Sequence, residues 1–314
     1  MSASEPITDL PDLLATLASL NQAPAGGAGK RWPHKPLLLL LLLGRLQQTG
    51  TSHVTFDEIA DDLTKLIADY TPIPNSGKAS SRSRAAMPFV HLERRLWQPT
   101  WGDGTDVSTR EPESPVQLVQ RGAEGHLTPD VEAYLSNPVG LTAAARVLLD
   151  HNFTPTLEEP LLADVGLDLT ISTGPTLVTT NKKARDPKFA EKVLIAYDYA
   201  CAVCGFDGAL GRTPVGLDAA HVHWHSQDGP DELENAIALC VLHHRLLDRG
   251  AIGLATDRTV TVSSMFVTRS AAGNAVRALH GSPLNSPSSG TPLLATGHIT
   301  WHTTQVFKGA PVAA

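Results

Sequence analysis

Apolar residues recur at helical spacing in three stretches near the start of the chain. Leucines repeat every three or four positions within residues 7–21, and a second apolar run begins near Pro36 and passes through seven consecutive leucines towards Gln48. In the third stretch, Thr55 and Glu58 have the spacing of a capping box and precede apolar positions at helical spacing. The pattern predicts three helices.

The middle of the chain mixes turn-forming residues with short apolar segments. Residues 71–87 are rich in turn formers and basic residues and predict a loop, whereas residues 88–101 predict a strand or a hairpin. A helix is expected again over residues 141–153. The Pro-, Thr- and Gly-rich residues 154–180 predict the connection between two domains, with short strands expected at DLTIS and TLVTT.

The C-terminal part has a different pattern. Phe189, Val193 and Tyr197 recur on one face of a predicted helix, residues 216–225 resemble a short strand, and residues 251–263 predict a hairpin. The predicted fold class is therefore α+β, with a mainly helical N-terminal domain that carries a small sheet. The predicted boundary lies near residue 165, and the predicted organisation is an N-terminal domain at 1–165, a linker at 166–185 and a C-terminal domain at 186–314.

Composition narrows the class of protein. The chain has 314 residues, 42% hydrophobic, which is enough for two ordinary domains with buried cores. Its formal net charge of -7 argues against a non-specific DNA coater, so any nucleic-acid contact must be local. The start lacks the features of a secretory signal, and the longest apolar run is far short of the roughly 20 residues of a membrane span. We expect a cytoplasmic protein with no membrane partner.

All three cysteines of the chain fall within one short region, which suits metal ligation better than a disulfide framework. Cys201 and Cys204 form a C-x-x-C pair, and Cys240 and His243 have the same spacing. On a helix, positions i and i+3 share a face, so the second pair can complete one tetrahedral site. The spacing predicts structural Zn²⁺ bound by these four residues, and the alternative is ordinary buried cysteine.

Three further residues are interleaved with the four ligands. His221 and Asn235 lie between the two pairs, and His244 is turned by about 100 degrees of helix from His243, so it cannot comfortably share the same ion. This arrangement over residues 185–250 resembles the HNH motif of the ββα-metal nucleases. The resemblance implies that His221 is the general base on the attacking water and that Asn235 orients it. It also implies that His244 holds a catalytic divalent cation, Mg²⁺ or Mn²⁺.

One position departs from that motif. Many members have a metal-binding Asp or His immediately before the base, where this chain has Ala220. Asp218 and His223 are both candidates for the missing ligand, the latter because period two places it on the same strand face as His221. His223 and His225 are otherwise expected to be surface histidines.

Two basic stretches mark the N-terminal half. Residues 13–56 contain no acidic residue and four basic ones, and residues 78–95 carry five basic residues against the single acid Glu93. Such clusters suit phosphate contacts, although each is equally compatible with a solvated face. The predicted DNA contacts within these stretches are Arg31, Lys78, Arg82 and Arg84. Ser108 and Arg110 of the VSTR segment, which follows residues 78–95 in the chain, are also predicted to contact DNA.

The segments RWPHKPLLLLLLLGRL and MPFVHLERRLW resemble the sulfur-binding domain of phosphorothioate-dependent McrA-type restriction endonucleases, over most of residues 15–155. The resemblance implies a shallow apolar cavity for a sulfur that replaces one non-bridging phosphate oxygen, since sulfur is more polarizable and less strongly hydrated than oxygen. Lys35 beside His34 would lie against the modified phosphate. Met87 and Pro88 would form the cavity wall, with His91 on the same rim. The family usually has an aromatic residue at the position of Met87 and a small residue at that of His91.

Together these features predict a type IV restriction endonuclease that recognises phosphorothioated double-stranded DNA and hydrolyses phosphodiester bonds nearby by a one-metal HNH mechanism. Cutting both strands requires two active sites or two visits, so a homodimer is expected. Three alternatives stay open. They are an HNH endonuclease specific for methylated cytosine, an inactive modified-DNA-binding protein, and a zinc-stabilised protein-interaction scaffold.

Overall fold

A computed structural model describes most of the chain. The described residues are 5–22, 32–71, 81–110, 114–169 and 188–312. They divide into two units, the first ending at residue 169 and the second beginning at residue 188. Much of the predicted linker and the whole TLVTT segment lie outside the described residues, so the boundary near residue 165 stays a prediction.

Three N-terminal helices form where the apolar spacing predicts them. They are α1 (Leu10–Ala18), α2 (His34–Thr49) and α3 (Phe56–Tyr70). The capping box of α3 is present, because the Thr55 hydroxyl accepts from the Glu58 amide and the Glu58 carboxylate accepts from the Thr55 amide. Helix α2 is apolar around most of its circumference and is correspondingly buried in the first unit.

The loop expected over residues 71–87 and the strand or hairpin expected from residue 88 are both wrong over residues 81–91. Residues Ser81–His91 form helix α4, with Pro88 inside it. An internal proline costs about 3 kcal/mol because it removes a helical hydrogen bond. Burial opposes this cost: Phe89 is fully buried, and its ring packs edge-on against Phe56 and Trp97 at centroid distances of 5.2 and 5.4 Å.

A small antiparallel sheet completes the first unit. Strands β1 (Val54–Thr55), β2 (Trp97–Thr100) and β3 (Glu124–Leu127) pair in the order β1-β3-β2. The remaining helices are α5 (Pro115–Gln120), α6 (Pro129–Leu135), α7 (Pro138–Asn152) and α8 (Pro155–Val165). Each begins with proline, whose fixed φ suits the first helical position. Helix α7 confirms the helix predicted over 141–153. The predicted connection between domains over residues 154–180 is wrong in its first part, because α8 occupies Pro155–Val165.

The second unit combines short hairpins with helices. Its elements are α9 (Phe189–Ala196), β4 (Ala209–Leu210), β5 (Thr213–Pro214), β6 (Leu217–His221), β7 (Ala236–Cys240), α10 (Val241–Asp248), β8 (Ile252–Leu254), β9 (Val260–Val262), α11 (Ala271–Arg277) and α12 (Thr296–Gln305). The predicted strand is β6, and the predicted hairpin is β8 with β9. The α+β class is confirmed for both units.

The ββα arrangement of the second unit positions the site. Strands β6 and β7 pair antiparallel, with Leu217 opposite Cys240 and His221 opposite Ala236. Helix α10 begins directly after β7, and both strands contact it. Ala220 and Ile237 are fully buried at the centre of this unit's core, so polar residues at the strand ends are held on a rigid base. Within the described residues, no helix combines the length and apolar character that crossing a membrane requires.

Candidate functional site

The four predicted zinc ligands come together. One ligand atom from each of Cys201, Cys204, Cys240 and His243 lies within 4.8 Å of all the others. The Nδ1 atom of His243 is 3.1 Å from the Cys240 sulfur and 3.7 Å from the Cys201 sulfur. A tetrahedral zinc about 2.3 Å from each sulfur needs ligand atoms roughly 3.5 to 3.8 Å apart. The donor set and its spacing therefore fit one zinc ion.

Local backbone geometry explains how the first pair is presented. The Cys201 carbonyl accepts from the Gly205 amide, and the Cys201 amide donates to the Phe206 carbonyl, which closes a tight turn around Cys204. Gly205 has φ +74°, a conformation that glycine adopts without the strain of a side chain. Cys240 is the last residue of β7 and the N-cap of α10, not a helical residue as the sequence argument assumed.

The thiols differ in their environments. Burial opposes ionisation of Cys201, but hydrogen bonds from His243 and from backbone amides lower the pKa of this thiol to about 6. Burial raises the pKa of Cys204 to about 12 and also raises that of Cys240. A zinc ion requires thiolates, so the ion's charge would replace the protons on these two groups.

His221 ends strand β6, and side chains from two other segments hold its ring. Its Nε2 atom is 2.8 Å from Oδ1 of Asp231, and the ring of Phe189 stacks on it at a centroid distance of 4.4 Å with an interplanar angle of 18°. Phe189 is the first residue of α9, and Asp231 lies in the loop between β6 and β7. The predicted base is thus fixed in orientation.

Asn235 is fully buried and holds the loop that follows His221. Its side-chain oxygen accepts from the His223 amide at 2.7 Å, and its amide group donates to the carbonyls of His223 and Pro230 at 2.9 and 3.0 Å. Gly229 is required in this loop, because a Cβ atom there would lie 1.9 Å from the His223 carbonyl oxygen. Asn235 thus ties the backbone of His223 to the segment that contains Pro230.

His244 lies between two carboxylates. Its Nδ1 atom is 3.1 Å from Oδ2 of Asp218 on β6, and its Nε2 atom is 3.3 Å from Oδ2 of Asp248, four residues further along α10. Burial opposes protonation of His244, but the hydrogen bond to Asp218 and the charge of Asp248 raise its pKa above the usual range. The same hydrogen bond lowers the pKa of Asp218. Trp224 donates to Asp248 at 3.0 Å and fixes that carboxylate.

His223 and His225 differ from their expected surface position. His223 is half-buried, stacks on Trp301 at 4.2 Å, and its Nε2 atom is 2.8 Å from the Gln227 carbonyl oxygen. His225 is buried, and its Nε2 atom lies 3.9 Å from Asp231. The expectation that they are surface histidines is therefore wrong, because His223 packs against Trp301 of α12 and His225 lies near Asp231 of the same loop.

In the first unit, His34 and Lys35 are both buried at the start of α2. Lys35 forms a 2.8 Å ion pair with Glu93. His34 packs against Trp32 at 5.5 Å, and among the described residues neither of its ring nitrogens has a hydrogen-bond partner. Burial, together with the positive charge of Arg84, lowers the pKa of His34 to about 4. His34 is therefore neutral at physiological pH.

The other predicted DNA-binding residues have varied surroundings. Met87 and His91 are half-buried on α4, and Pro88 is buried between them; α4 packs against α2. Arg82 donates to Asp61 through two nitrogens at 2.7 and 2.9 Å. The Ser108 hydroxyl accepts from the amide of exposed Arg110. Arg31 and Lys78 lie outside the described residues.

Sequence reasoning missed four residues of these sites. Asp248 shares a helical face with His244 by its i+4 spacing, and this signal was available in the sequence. Asp231, Phe189 and Glu93 carry no such signal, because they reach their partners through loops or across elements distant in sequence.

Comparisons with known proteins agree with the two halves of this description. A family model described as ScoMcrA-like, DNA sulfur-binding domain matches residues 11–170, just over half of the chain, and an HNH endonuclease model matches residues 201–255. Among curated proteins, none matches the chain.

Three solved structures illustrate the similarity. The sulfur binding domain of SprMcrA complexed with phosphorothioated DNA is 18% identical, with 51% of this chain and 95% of that chain covered and a TM-score of 0.39. The sulfur binding domain of ScoMcrA complexed with phosphorothioated DNA is 21% identical, with 49% of this chain and 94% of that chain covered and a TM-score of 0.41. The modification dependent TagI restriction endonuclease is 19% identical, with 45% of this chain and 41% of that chain covered and a TM-score of 0.28.

Proposed function

We propose that this chain, which belongs to the ScoMcrA-like DNA sulfur-binding domain family and carries an HNH endonuclease domain, is a type IV restriction endonuclease. It recognises double-stranded DNA that carries a phosphorothioate and hydrolyses phosphodiester bonds nearby. One observation supports this most strongly. His221 lies at the end of β6, Asn235 lies directly before β7 and His244 lies on α10, all in the same chain that carries a sulfur-binding domain.

In this proposal His221 takes a proton from the attacking water, and Asn235 keeps the loop beside it in place. When bound, a divalent cation such as Mg²⁺ or Mn²⁺ supplies Lewis-acid polarisation of the phosphate and neutralises charge on the leaving oxygen. One imidazole with carboxylate oxygens is a donor set that suits such hard ions. His244 must be neutral to act as a ligand, because a protonated ring has no lone pair.

The surroundings of His244 suggest which atoms hold the cation. The Asp218 side chain is 43% exposed, whereas that of Asp248 is 2% exposed and also accepts from Trp224. We therefore assign Asp218 and Nδ1 of His244 as ligands, and Asp248 as the acceptor that orients the ring through Nε2–H. In this assignment Asp218 replaces the metal ligand that many members of the family have at the position of Ala220. His223 is unsuited to it because its ring stacks on Trp301 and bonds to the loop backbone.

The sulfur site is proposed at the start of α2 and the facing part of α4. His34 and Lys35 would contact the modified phosphate, and Met87, Pro88 and His91 would surround the sulfur. Because Lys35 is paired with Glu93, a phosphate must compete with that carboxylate for the ammonium group. Arg82, Arg84, Ser108 and Arg110 would contact the flanking DNA backbone, and Arg31 and Lys78 stay predictions on the same grounds of charge.

Two further parts of the proposal concern stability and assembly. We assign structural Zn²⁺ to Cys201, Cys204, Cys240 and His243, a closed set of four protein ligands that leaves no position for substrate. We also propose that two copies act together as a homodimer, since each chain offers one HNH site and a double-strand break requires two cuts.

The test uses three otherwise identical plasmids: one phosphorothioated, one methylated at cytosine and one unmodified. With Mg²⁺ or Mn²⁺, the chain should linearise only the phosphorothioated plasmid, and His221→Ala should bind it without cutting. Equal cutting of the unmodified plasmid would contradict the proposal. Cutting of the methylated plasmid alone would support the rival specificity, and binding without cutting under any divalent ion would support an inactive binder.

A further inference from the structure

The imidazole of His221 has a carboxylate partner that no motif assigns. Asp231 lies ten residues further along the chain, in the loop between β6 and β7, and its Oδ1 atom is 2.8 Å from Nε2 of His221. The His221 side chain is 12% exposed and that of Asp231 is 14% exposed. A hydrogen bond shielded from water to this degree is stronger and more directional than one at the surface.

The position of Asp231 follows from the fold of its loop. Asn235 donates to the carbonyl of Pro230, the residue before Asp231, and also pairs with both backbone groups of His223. The buried amide therefore ties the strand end that carries His221 to the segment that carries Asp231. On the other side, Phe189 stacks on the His221 ring and blocks rotation away from the carboxylate.

We propose that Asp231 is the positioning residue for His221, an inference that rests on the proposed nuclease function. A carboxylate only accepts, so the neutral imidazole must donate through Nε2–H. The lone pair is then on Nδ1, which takes the proton. As the water oxygen bonds to phosphorus, its proton passes to Nδ1 and the bond to the leaving sugar oxygen breaks. The leaving oxygen is then protonated by solvent water. Asp231 stabilises the imidazolium without itself being protonated, by the logic of carboxylate–histidine pairs in hydrolases.

The chain offers a matched control for this role. Asp228 belongs to the same loop, is exposed, and has φ +67°, a left-handed conformation that asparagine tolerates as readily as aspartate. Asp228→Asn and Asp231→Asn therefore make the same chemical change three residues apart. Only the second removes the carboxylate from His221.

The kinetic test measures cleavage of a phosphorothioated duplex by the full chain at saturating divalent ion. Asp231→Asn should lower kcat by on the order of 10²- to 10⁴-fold, with KM, duplex binding, zinc content and melting temperature unchanged. Asp228→Asn should cut like wild type, and Asp231→Glu should recover part of the loss. In a His221→Ala background, Asp231→Asn should lower kcat no further, because the effects of two substitutions do not add when one residue acts only through the other.

Several results would overturn the inference. They are wild-type kcat in Asp231→Asn, an equal loss in Asp228→Asn, or a full additional loss in the His221→Ala background. If the wild-type chain cuts none of the plasmids, the proposed function fails. The inference is then decided separately by the tautomer of His221.

The tautomer is measured by long-range proton–nitrogen NMR on the full chain with ¹⁵N-labelled histidine, with His221 assigned from its absence in His221→Gln. The wild-type spectrum at pH 8 should show the Nε2–H form, and Asp231→Ala should reduce its population. An Nδ1–H form in the wild type would refute the pairing whatever the chain does to DNA.

Discussion

His302 on α12 provides a quantitative test of how the nuclease unit is held together. The side chain is fully buried, its Nε2–H donates to the Leu247 carbonyl of α10 at 3.0 Å, and within the described residues Nδ1 has no hydrogen-bond partner. Burial lowers the pKa of His302 from 6.5 to about 4. The folded state therefore retains a neutral ring over a pH range in which the unfolded state binds a proton.

The direction and size of the effect follow from proton linkage. Because the pKa is depressed on folding, the contribution of His302 is fully present above about pH 6.5 and is lost as the pH falls towards 4. Lowering the pKa of His302 from 6.5 to about 4 reduces the free energy of unfolding by roughly 3 kcal/mol when the effect is complete, and by about 2 kcal/mol at pH 5. His302→Gln retains a donor for Leu247 but cannot titrate.

The assay is urea unfolding at pH 7 and pH 5 with excess zinc. Unfolding is monitored by hydrogen-exchange mass spectrometry of segments from residues 188–312, and the exchange rates are corrected for the intrinsic rate at each pH. Wild type should exceed His302→Gln in unfolding free energy at pH 7, because the variant loses the packing of the ring. The difference should shrink by about 2 kcal/mol at pH 5, since only wild type pays the protonation penalty. An equal difference at both pH values would refute the reasoning.

The remaining predictions concern the two proposed metal sites, the partly buried Lys35–Glu93 ion pair and the loop between β6 and β7. His243→Ala should release zinc and unfold the nuclease unit, whereas His244→Ala should stay folded with bound zinc and lose cleavage; zinc content and circular dichroism distinguish the two. Lys35→Met should lower stability by about 3 kcal/mol because it leaves the Glu93 carboxylate unpaired, and adding Glu93→Leu should restore much of the loss in a thermal melt. Gly229→Ala should destabilise the unit by about 2 kcal/mol and reduce cleavage, because its methyl group overlaps a backbone carbonyl; unchanged melting and activity would contradict this.

The spacing of residues along the chain was sufficient to predict features that depend on residues close together in the sequence. The capping box of α3 and the helices α2 and α7 follow from residues three or four apart, because a helix brings those positions together wherever it forms. The same reasoning predicted the four residues of the Cys3His cluster, since a C-x-x-C turn and a C-x-x-H pair are each built locally, and the structure brings their ligand atoms together. His221, Asn235 and His244 were predicted from the resemblance to the HNH motif, which their order among those four residues carries.

Only the tertiary structure decided the features that join distant segments. The sequence predicted a loop up to residue 87 and a strand or hairpin from Pro88. Ser81–His91 instead form α4, because burying Phe89 against Phe56 and Trp97 outweighs the local cost of the proline. The ion pair of Lys35 with Glu93, 58 residues away in the sequence, was likewise not predictable from local spacing.

The partners of His221 and His244, the two histidines of the proposed active site, show the same division. Asp231 reaches His221 only because a buried amide folds the intervening loop, and Asp218 reaches His244 only because β6 lies beside α10. The sequence by itself determined which side chains are candidates for the proposed chemistry, through residue type, local spacing and the resemblance to the HNH motif. The fold decided which carboxylate each histidine meets, because such pairs depend on chain packing and not on distance along the sequence.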